Sequence, residues 1–466
     1  MPDTITVMTW LGGAVVAAPV LLVALLGITT LLGRPLSERA SARAVATVTV
    51  FGLAATVAVF AFMLAADTRH VVVGSAEWVH LESDPPEPPY HFAIKFVFDK
   101  LSIPFVALTF VLLGTVGAFA SRYMHREVGY NRFFALYAVF LAGMVIAALA
   151  GTIETLFLGW ELVGLSSALL VGYYHERPAP VRNALRVWVV YRVSDAALLL
   201  AAVFLHHMSG AGDFDKLTGY REVAEEQIAA WPHGESLLAP LQVWVVGGLL
   251  LLAAAGKSAL VPFSGWLPRA MEGPTPSSAL FYGALSVHLG AFLLLRMDPL
   301  LNASPELSAA VLVLGLLTAA VAALAARVQT DIKSVLSFAA LTQVGLIVAE
   351  IGLGWRYIPL AHLIGHACLR TLQFVRAPSV IRDHHAIEDA VGDRLPRPSG
   401  GWLGAVGGWF YRFGLERGYL DAFLDRFFVR PFLVVFRALN KWETRATDAL
   451  NGVAPVPPAP KDDRPS

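Results

Sequence analysis

Cysteine is almost absent: Cys368 is the one thiol in 466 residues. A lone thiol excludes a disulfide framework, and it excludes an iron–sulfur or zinc cluster built from cysteines within the chain. Charge is scarce as well. Only 15% of residues are Asp, Glu, Lys or Arg, where soluble domains carry about 25%. The two signs balance at 35 each, so no bulk charge directs the chain to nucleic acid. A Gly-rich dinucleotide fingerprint following a strand pattern is missing, and so is a Walker A sequence. NADH, flavin and ATP chemistry is therefore not expected in this chain, and no cofactor is assigned to it. No basic region precedes the first apolar run, which reads as a retained span and not as a cleaved signal.

What the chain has is apolar length. Hydrophobic residues make up 56% of it, and the mean hydropathy is +0.61. A hydrocarbon core about 30 Å thick needs roughly 20 apolar residues per helix. Candidate spans fall near 9–33, 44–66, 101–120, 133–151, 153–173, 186–208, 240–262, 276–297, 307–328, 332–353 and 357–380. Nothing alternates with the period of a membrane β-barrel. The expectation is an all-α polytopic membrane bundle of about eleven transmembrane helices.

Loop charge predicts an orientation. Arg34, Arg39 and Arg43 follow the first span, Arg122, Arg126 and Arg132 the third, Arg177 and Arg182 the fifth, and Arg327 and Lys333 the ninth. The alternate loops are acidic, with Glu77, Glu82, Asp84 and Glu87 in one and Asp213, Asp215, Glu222, Glu225 and Glu226 in another. Basic loops face the cytoplasm, which puts the N-terminus outside and the C-terminus inside. The membrane domain is read as residues 1–385, followed by a linker at 386–400 running into the Pro/Gly stretch LPRPSGG. Residues 401–450 read as amphipathic helices for a membrane surface or a partner, because Arg426, Arg430, Arg437 and Lys441 interrupt an apolar run. Residues 451–466 are Pro-rich and expected to be disordered.

Ionisable residues inside a membrane are expensive and mark polar interiors or ion pathways. Glu161 lies mid-span in FLGWELVGLSS, either as helix-joining glue or on an ion path. Arg192 and Asp195 share one helix face, as a neutralised packing pair or as a functional one. Lys257 closes an apolar run. It either snorkels to an interface or carries a proton in the interior. Pro262, Pro268, Pro274 and Pro276 follow it, so the helix is expected to break near Pro262. Tyr282 and His288 lie on one span and are polar groups able to hold water. His362, His366 and Arg370 recur every four residues. Zinc is disfavoured there, since no third ligand is adjacent and Arg370 would repel a cation. RDHH, at 382–385, reads as an ordinary solvated segment.

At these residues the chain resembles a known family. FDKLS (98–102), SRYMHREVGYNRFF (121–134), LGWELVGLSS, GKSALVPFSGWLPRAMEGPTPSSAL, DIKSVLSFAALTQVGL and HLIGHACLRTLQF are similar to the proton-pumping antiporter-like membrane subunits. These include the L subunit of respiratory complex I and the large subunits of multisubunit Na+/H+ antiporters. The resemblance implies that Lys257 is a central proton carrier and that Glu161 tunes it. Three positions depart from the complex I pattern. Ser264 and Tyr282 stand where histidines are usual, and Arg370 stands where lysine is usual. Arginine does not release its proton in proteins. The later spans and the long lateral helix of the complex I subunit have no counterpart after residue 385.

FYGALSVH and GHACLRTLQF resemble one branch most, the membrane subunit of the two-component bacterial inorganic-carbon accumulation systems. That likeness implies an inner-membrane, proton- or sodium-conducting subunit in a CO2-concentrating mechanism, and not itself an enzyme. Its partner would be a soluble β-carbonic-anhydrase-like zinc protein on the cytoplasmic face, hydrating CO2 to bicarbonate. The competing expectations are a subunit of a complex I-like oxidoreductase or Na+/H+ antiporter, and a non-conducting anchor for a soluble enzyme.

Overall fold

The computed structural model describes residues 4–81, 90–209, 212–217, 221–223, 226–228, 231–232, 234–236, 238–377 and 402–450. The expected linker at 386–400, the RDHH segment, the tail at 451–466, and Glu82, Asp84, Glu87 and Glu225 lie outside them. Among the described residues, ten helical segments are long and apolar enough to cross a membrane. They are α1 (Thr4–Leu31), α2 (Glu38–Ala65), α3 (Ser102–Tyr123), α4 (Tyr130–Leu149), α5 (Ile153–Val171), α6 (Pro178–Met208 of a helix ending at Ser209), α8 (Pro240–Lys257), the composite Thr275–Arg296, α13 (Pro305–Ala326) and α14 (Ile332–Gly352). The eleventh expected span forms α15 (Tyr357–Arg376), a helix of 20 residues whose polar stripe keeps it out of that set. The chain is a polytopic helical membrane protein.

Small residues bring the central helices together. A Cβ added at Gly143 of α4 would lie 2.9 Å from the Val163 nitrogen and 3.0 Å from the Gly159 carbonyl oxygen of α5. The α4–α5 contact is thus made backbone to backbone, as membrane helices favour, and it fixes the height of Trp160 and Glu161. Gly315 and Gly345 join α13 to α14 in the same way.

The expected break is present and begins earlier than Pro262. The α8 helix stops at Lys257, and Ala259 adopts a left-handed φ of 56°. Short turns follow: a 3-10 turn (Phe263–Gly265), α9 (Trp266–Arg269) and another 3-10 turn (Ala270–Glu272). The next span starts as α10 (Thr275–Ser277), widens into a π-helix (Ser278–Ala284), tightens to 3-10 (Ser286–His288) and ends as α11 (Leu289–Arg296). Side chains take over the freed backbone groups. Ser258 donates to the Val287 carbonyl at 2.5 Å and accepts from the Gly290 nitrogen at 3.1 Å. Thr318 accepts from the Val261 nitrogen, and Trp266 donates to the Gly256 carbonyl, each at 3.0 Å.

The sequence pattern did not reveal a β-hairpin, β1 (His70–Leu81) against β2 (Tyr90–Asp99), antiparallel from His70↔Asp99 to Leu81↔Tyr90. It closes one end of the bundle, called here the hairpin face. Asp99 ends it by accepting from the nitrogens of Leu101 at 3.0 Å and Ser102 at 2.7 Å, starting α3. Arg296 at the end of α11 pairs with Asp99 in the interior. Lys95 of β2 reaches across to Asp213 at 3.0 Å and Asp215 at 2.5 Å, and His70 meets Asp215 at 3.1 Å. This clamp ties the hairpin to the segment after α6, where α7 (Phe214–Leu217) lies.

The chain divides into two units, Met1–Gly418 and Tyr419–Ser466. In the first, α16 (Trp402–Leu415) packs on α13. The second contains α17 (Leu420–Leu424), a π turn (Asp425–Val429) and α18 (Arg430–Leu450). On α18, Phe432, Val435, Phe436, Leu439 and Trp442 recur at helical spacing on one face.

The clamp sets a pH window. Burial would raise Asp215, but the hydrogen bond and charge of His70, with Lys95, hold it at about 2, below the ordinary 3.8. Burial would depress Lys95, yet Asp215 and then Asp213 lift it above the ordinary 10.5. A carboxylate held low stabilises the fold above its unfolded value and loses that as pH falls through the folded one. A lysine held high stabilises below its unfolded value and loses that as pH rises. Hydrogen-exchange protection factors across β2 should therefore stay level between about pH 4 and 10 and fall outside that range. Asp215→Asn should lower them at neutral pH and remove the acid step. Unchanged protection in that variant would show that the clamp does not hold the hairpin.

Candidate functional site

The Lys257 side chain is fully buried, at 0% exposure, which rules out snorkelling to an interface. Its ammonium donates to the Trp160 carbonyl at 2.8 Å. It also lies over the faces of Tyr191, 4.5 Å from the centroid, and Trp160, 5.0 Å from it. Space for it comes from Gly164, where a Cβ would sit 3.0 Å from Nζ. No ion pair reaches Lys257 among the described residues. Its neighbours are a carbonyl and two π faces, which stabilise a cation but also tolerate a neutral amine.

The carboxylates beside it are occupied elsewhere. Arg192 of α6 bridges Glu161 of α5 at 2.5 Å and Asp195 at 2.6 Å, so the Arg192–Asp195 pair is a triad. Trp160 donates its indole N–H to Asp195 at 2.8 Å while its carbonyl holds Lys257. One residue on α5 thus joins acid and base. The guanidinium stacks over Trp188, 4.0 Å from the ring centroid.

A second cluster forms around the histidines. His288 faces the Ala284 carbonyl through Nδ1 at 2.6 Å and His366 through Nε2 at 3.0 Å. Arg370 donates from Nε to His366 Nε2 at 3.2 Å. These partners assign the tautomers of the neutral rings. A carbonyl only accepts, so His288 carries its proton on Nδ1. Arginine only donates, so His366 carries its proton on Nδ1 and gives that hydrogen bond to His288 Nε2. The result is a one-directional wire, Arg370 to His366 to His288 to Ala284. His362 does not join it. Its ring meets Glu350 at 2.8 Å and Gln343 at 3.0 Å, both on α14, so the stripe on α15 serves two networks. No group of metal-binding type was found among the described residues.

The break connects the clusters. Ser258 follows Lys257 and bonds to the carbonyl of Val287, which precedes His288. Tyr282 donates to the Ser167 carbonyl on α5 at 2.8 Å and does not meet the histidines directly. The hydroxyls of Tyr191 and Ser286 are buried and face each other, with Ser167 close to Tyr191. Trp160, Tyr191, Ser258, Gln343 and Glu350 were not singled out from sequence. Trp160 had a signal, since it directly precedes Glu161. Glu350 sits three residues from the end of a span, where an acid reads as interfacial.

A membrane bundle with a lysine at a helix break, an acidic group on the neighbouring helix and an imidazole wire beyond it defines a class: a polytopic protein with ionisable groups buried along its interior. The comparisons with known proteins narrow it. Residues 150–391 match the family described as NADH:quinone oxidoreductase/Mrp antiporter, TM, and residues 87–134 match the N-terminus of complex I chain 5. The chain belongs to that NADH:quinone oxidoreductase/Mrp antiporter family. It is 36% identical over 296 residues to NADH-quinone oxidoreductase subunit L of Escherichia coli, covering 64% of this chain and 46% of that one. It is 32% identical over 327 residues to NADH-ubiquinone oxidoreductase chain 5 of Felis catus, covering 70% and 50%. The chain spans about half the length of these curated relatives. A similar fold occurs in the Mrp complex from Dietzia sp. DQ12-45-1b, with TM-score 0.62, 22% identity and coverage of 87% of this chain and 46% of that one. It also occurs in an archaeal membrane-bound sulfane sulfur reductase, with TM-score 0.61, 16% identity and coverage of 88% and 69%.

Gly164 offers a test of the lysine's setting. Gly164→Ala should crowd the ammonium and destabilise the purified protein by about 1–3 kcal/mol. Lys257→Met is one atom shorter, so the double variant should recover most of that loss in a thermal melt. Additive losses would mean that Gly164 does not make room for Lys257.

Proposed function

We propose that this chain is the proton-conducting membrane subunit of an energy-coupled assembly. Its path runs through Glu161, Arg192, Asp195 and Lys257, then past Tyr282 to His288, His366 and Arg370, with His362 on the α14 side. The observation that carries this reading is the fully buried ammonium of Lys257, held by a carbonyl and two rings next to a carboxylate–guanidinium triad. A lysine kept for packing would be matched to an acid at contact distance. This one is left free to gain and lose a proton while Arg192 keeps Glu161 and Asp195 balanced. The Lys257→Met variant keeps the apolar stem and cannot carry a proton. Reconstituted into liposomes, it should lose proton flux while still inserting. Near-normal flux would end the role.

The assembly we propose is an inorganic-carbon transporter of the bacterial inner membrane, in which cation flow drives CO2 hydration by a soluble zinc β-carbonic-anhydrase-like partner. On this reading the chain is a transporter subunit and catalysis lies in the partner. Arg370 supports it over a through-conducting pump subunit. Where a lysine could pass a proton onward, the guanidinium only donates, and it locks the orientation of His366. Flow arriving at the histidines then ends at a junction the protein can gate. Co-expression with the partner should restore growth in air to a carbonic-anhydrase-deficient bacterium, and a well-expressed pair that fails to do so would refute the carbon role. Arg370→Ala should abolish rescue, and Arg370→Lys should keep the charge while permitting leak. We assign the partner contact to the cytoplasmic segment around α17 and α18. Deleting 395–466 should release the partner and leave the membrane helices inserted.

A further inference from the structure

A second ionisable pair lies on the hairpin face, apart from the groups above. Glu154 is in the first turn of α5 and His206 in the last turn of α6. His206 Nε2 meets Glu154 Oε1 at 2.5 Å, and the ring stacks on Phe92 of β2 with centroids 4.4 Å apart. The His206 side chain is 4% exposed and that of Glu154 13%. Each keeps one polar atom buried with no hydrogen-bond partner among the described residues, His206 Nδ1 and Glu154 Oε2. A pair serving only to hold α5 against α6 would not need these idle atoms, which cost free energy when left unpaired.

Both residues line a cavity of about 700 Å³ that also reaches Glu161. Glu154 and Glu161 are seven residues apart on α5, two turns and roughly 10 Å along the axis. The other walls are mostly apolar, including Phe157, Leu158, Leu199 and Val203, and the last three are exposed, so the space opens along the outer side of α5 and α6. Gly212 lies against Glu154, and its carbonyl accepts from the Ile153 nitrogen at 2.9 Å. A Cβ at Gly212 would press on the Glu154 carboxylate oxygens at 2.7 and 2.8 Å. Among the described residues, the charged groups near this end also include His207 on α6, Glu161 deeper on α5, the Glu77–His91 pair on the hairpin, and the Lys95–Asp213–Asp215–His70 clamp.

We propose that Glu154 and His206 form the proton-loading station on the hairpin face of the path that continues at Glu161. The inference rests on the proton-conducting reading above. A proton from the hairpin side is taken up at the free Glu154 oxygen or the free His206 nitrogen. It leaves for the Glu161 carboxylate along water that transiently fills the cavity. The proton neutralises the Glu161 carboxylate, and the Arg192 guanidinium, unchanged in charge, loosens from Glu161 toward Asp195.

Glu154→Gln discriminates, because the amide oxygen still accepts from His206 while the side chain no longer titrates. The test is proton flux into liposomes holding the full chain with its co-purifying subunits, read by an enclosed pH dye at a fixed membrane potential. E154Q should melt like the wild type and lose flux by about tenfold or more, His206→Gln likewise, and Gly212→Ala should lose part of it. Wild-type flux in E154Q, with K257M inactive, would overturn the loading station and leave the path through Lys257 standing. Wild-type flux in K257M would overturn the path itself. Loss of sodium flux with proton flux intact would overturn the assignment of the proton. If E154Q fails to accumulate, H206Q and G212A decide by the same outcomes.

Discussion

Everything in this bundle depends on a helix that stops inside it. In hydrocarbon each backbone N–H and C=O must find a partner, so irregular chain is tolerated at membrane depth only where protein surrounds it. The α8 helix ends at Lys257, and between there and the next span at Thr275 the chain forms only short turns and the four-residue α9. Ser258, Thr318 and Trp266 accept or donate for the interrupted backbone, and Lys333 donates to the carbonyls of Met271 and Gly273 at 3.3 Å. The break is thus satisfied from the neighbouring helices. The same bonds place Lys257 against α5 on one side and the turn before His288 on the other. A continuous helix would carry the chain after Lys257 away from the Val287 carbonyl that Ser258 holds.

The charges around the break are then arranged so that Lys257 has no direct ion pair among the described residues. Arg192 balances Glu161 and Asp195, and Trp160 connects that triad to Lys257 through a neutral carbonyl. A direct Lys257–Asp195 pair would fix both protonation states. Keeping the ammonium one residue away, over aromatic faces, lowers the cost of either state. The histidine wire follows a related logic. Its direction is imposed by a donor that cannot accept, Arg370, and an acceptor that cannot donate, the Ala284 carbonyl.

Much of this was legible in the sequence, and the reasons differ by residue. The spans follow from apolar length alone. The break followed from four prolines after Lys257, although it starts five residues before the first of them, because Ala259 turns the chain. The hairpin was missed because its strands carry polar residues between two spans and lie where an acidic loop is expected. Gly74, with φ of 68°, sits in a bulge of β1 and shifts the pairing between Val73 and Ser75, so the alternation does not run clean. Tyr282 and His288 were read only as two polar groups on one span. The π and 3-10 turns between them change the phase, and spacing cannot report a change of helix type. His362 and His366 read as one stripe because they share a face of α15, yet their partners come from different helices, and only packing decides that.

The pair Glu154–His206 marks the limit of reading by position. Both residues fall within a turn of a helix end, where an acid at an N-terminus and a histidine at a C-terminus are ordinary companions of the helix dipole. That account explains each residue singly and fails for the two together. The ends of α5 and α6 meet on the hairpin face, so each side chain satisfies the other and not its own helix. What remains is a buried acid–imidazole contact with one free atom on each partner, opening toward Glu161 on the same side of α5. Helix-end electrostatics would place these groups in solvent. The fold instead lays Phe92 and Gly212 against them, so the pair is held by its packing and not by the ends of its own helices.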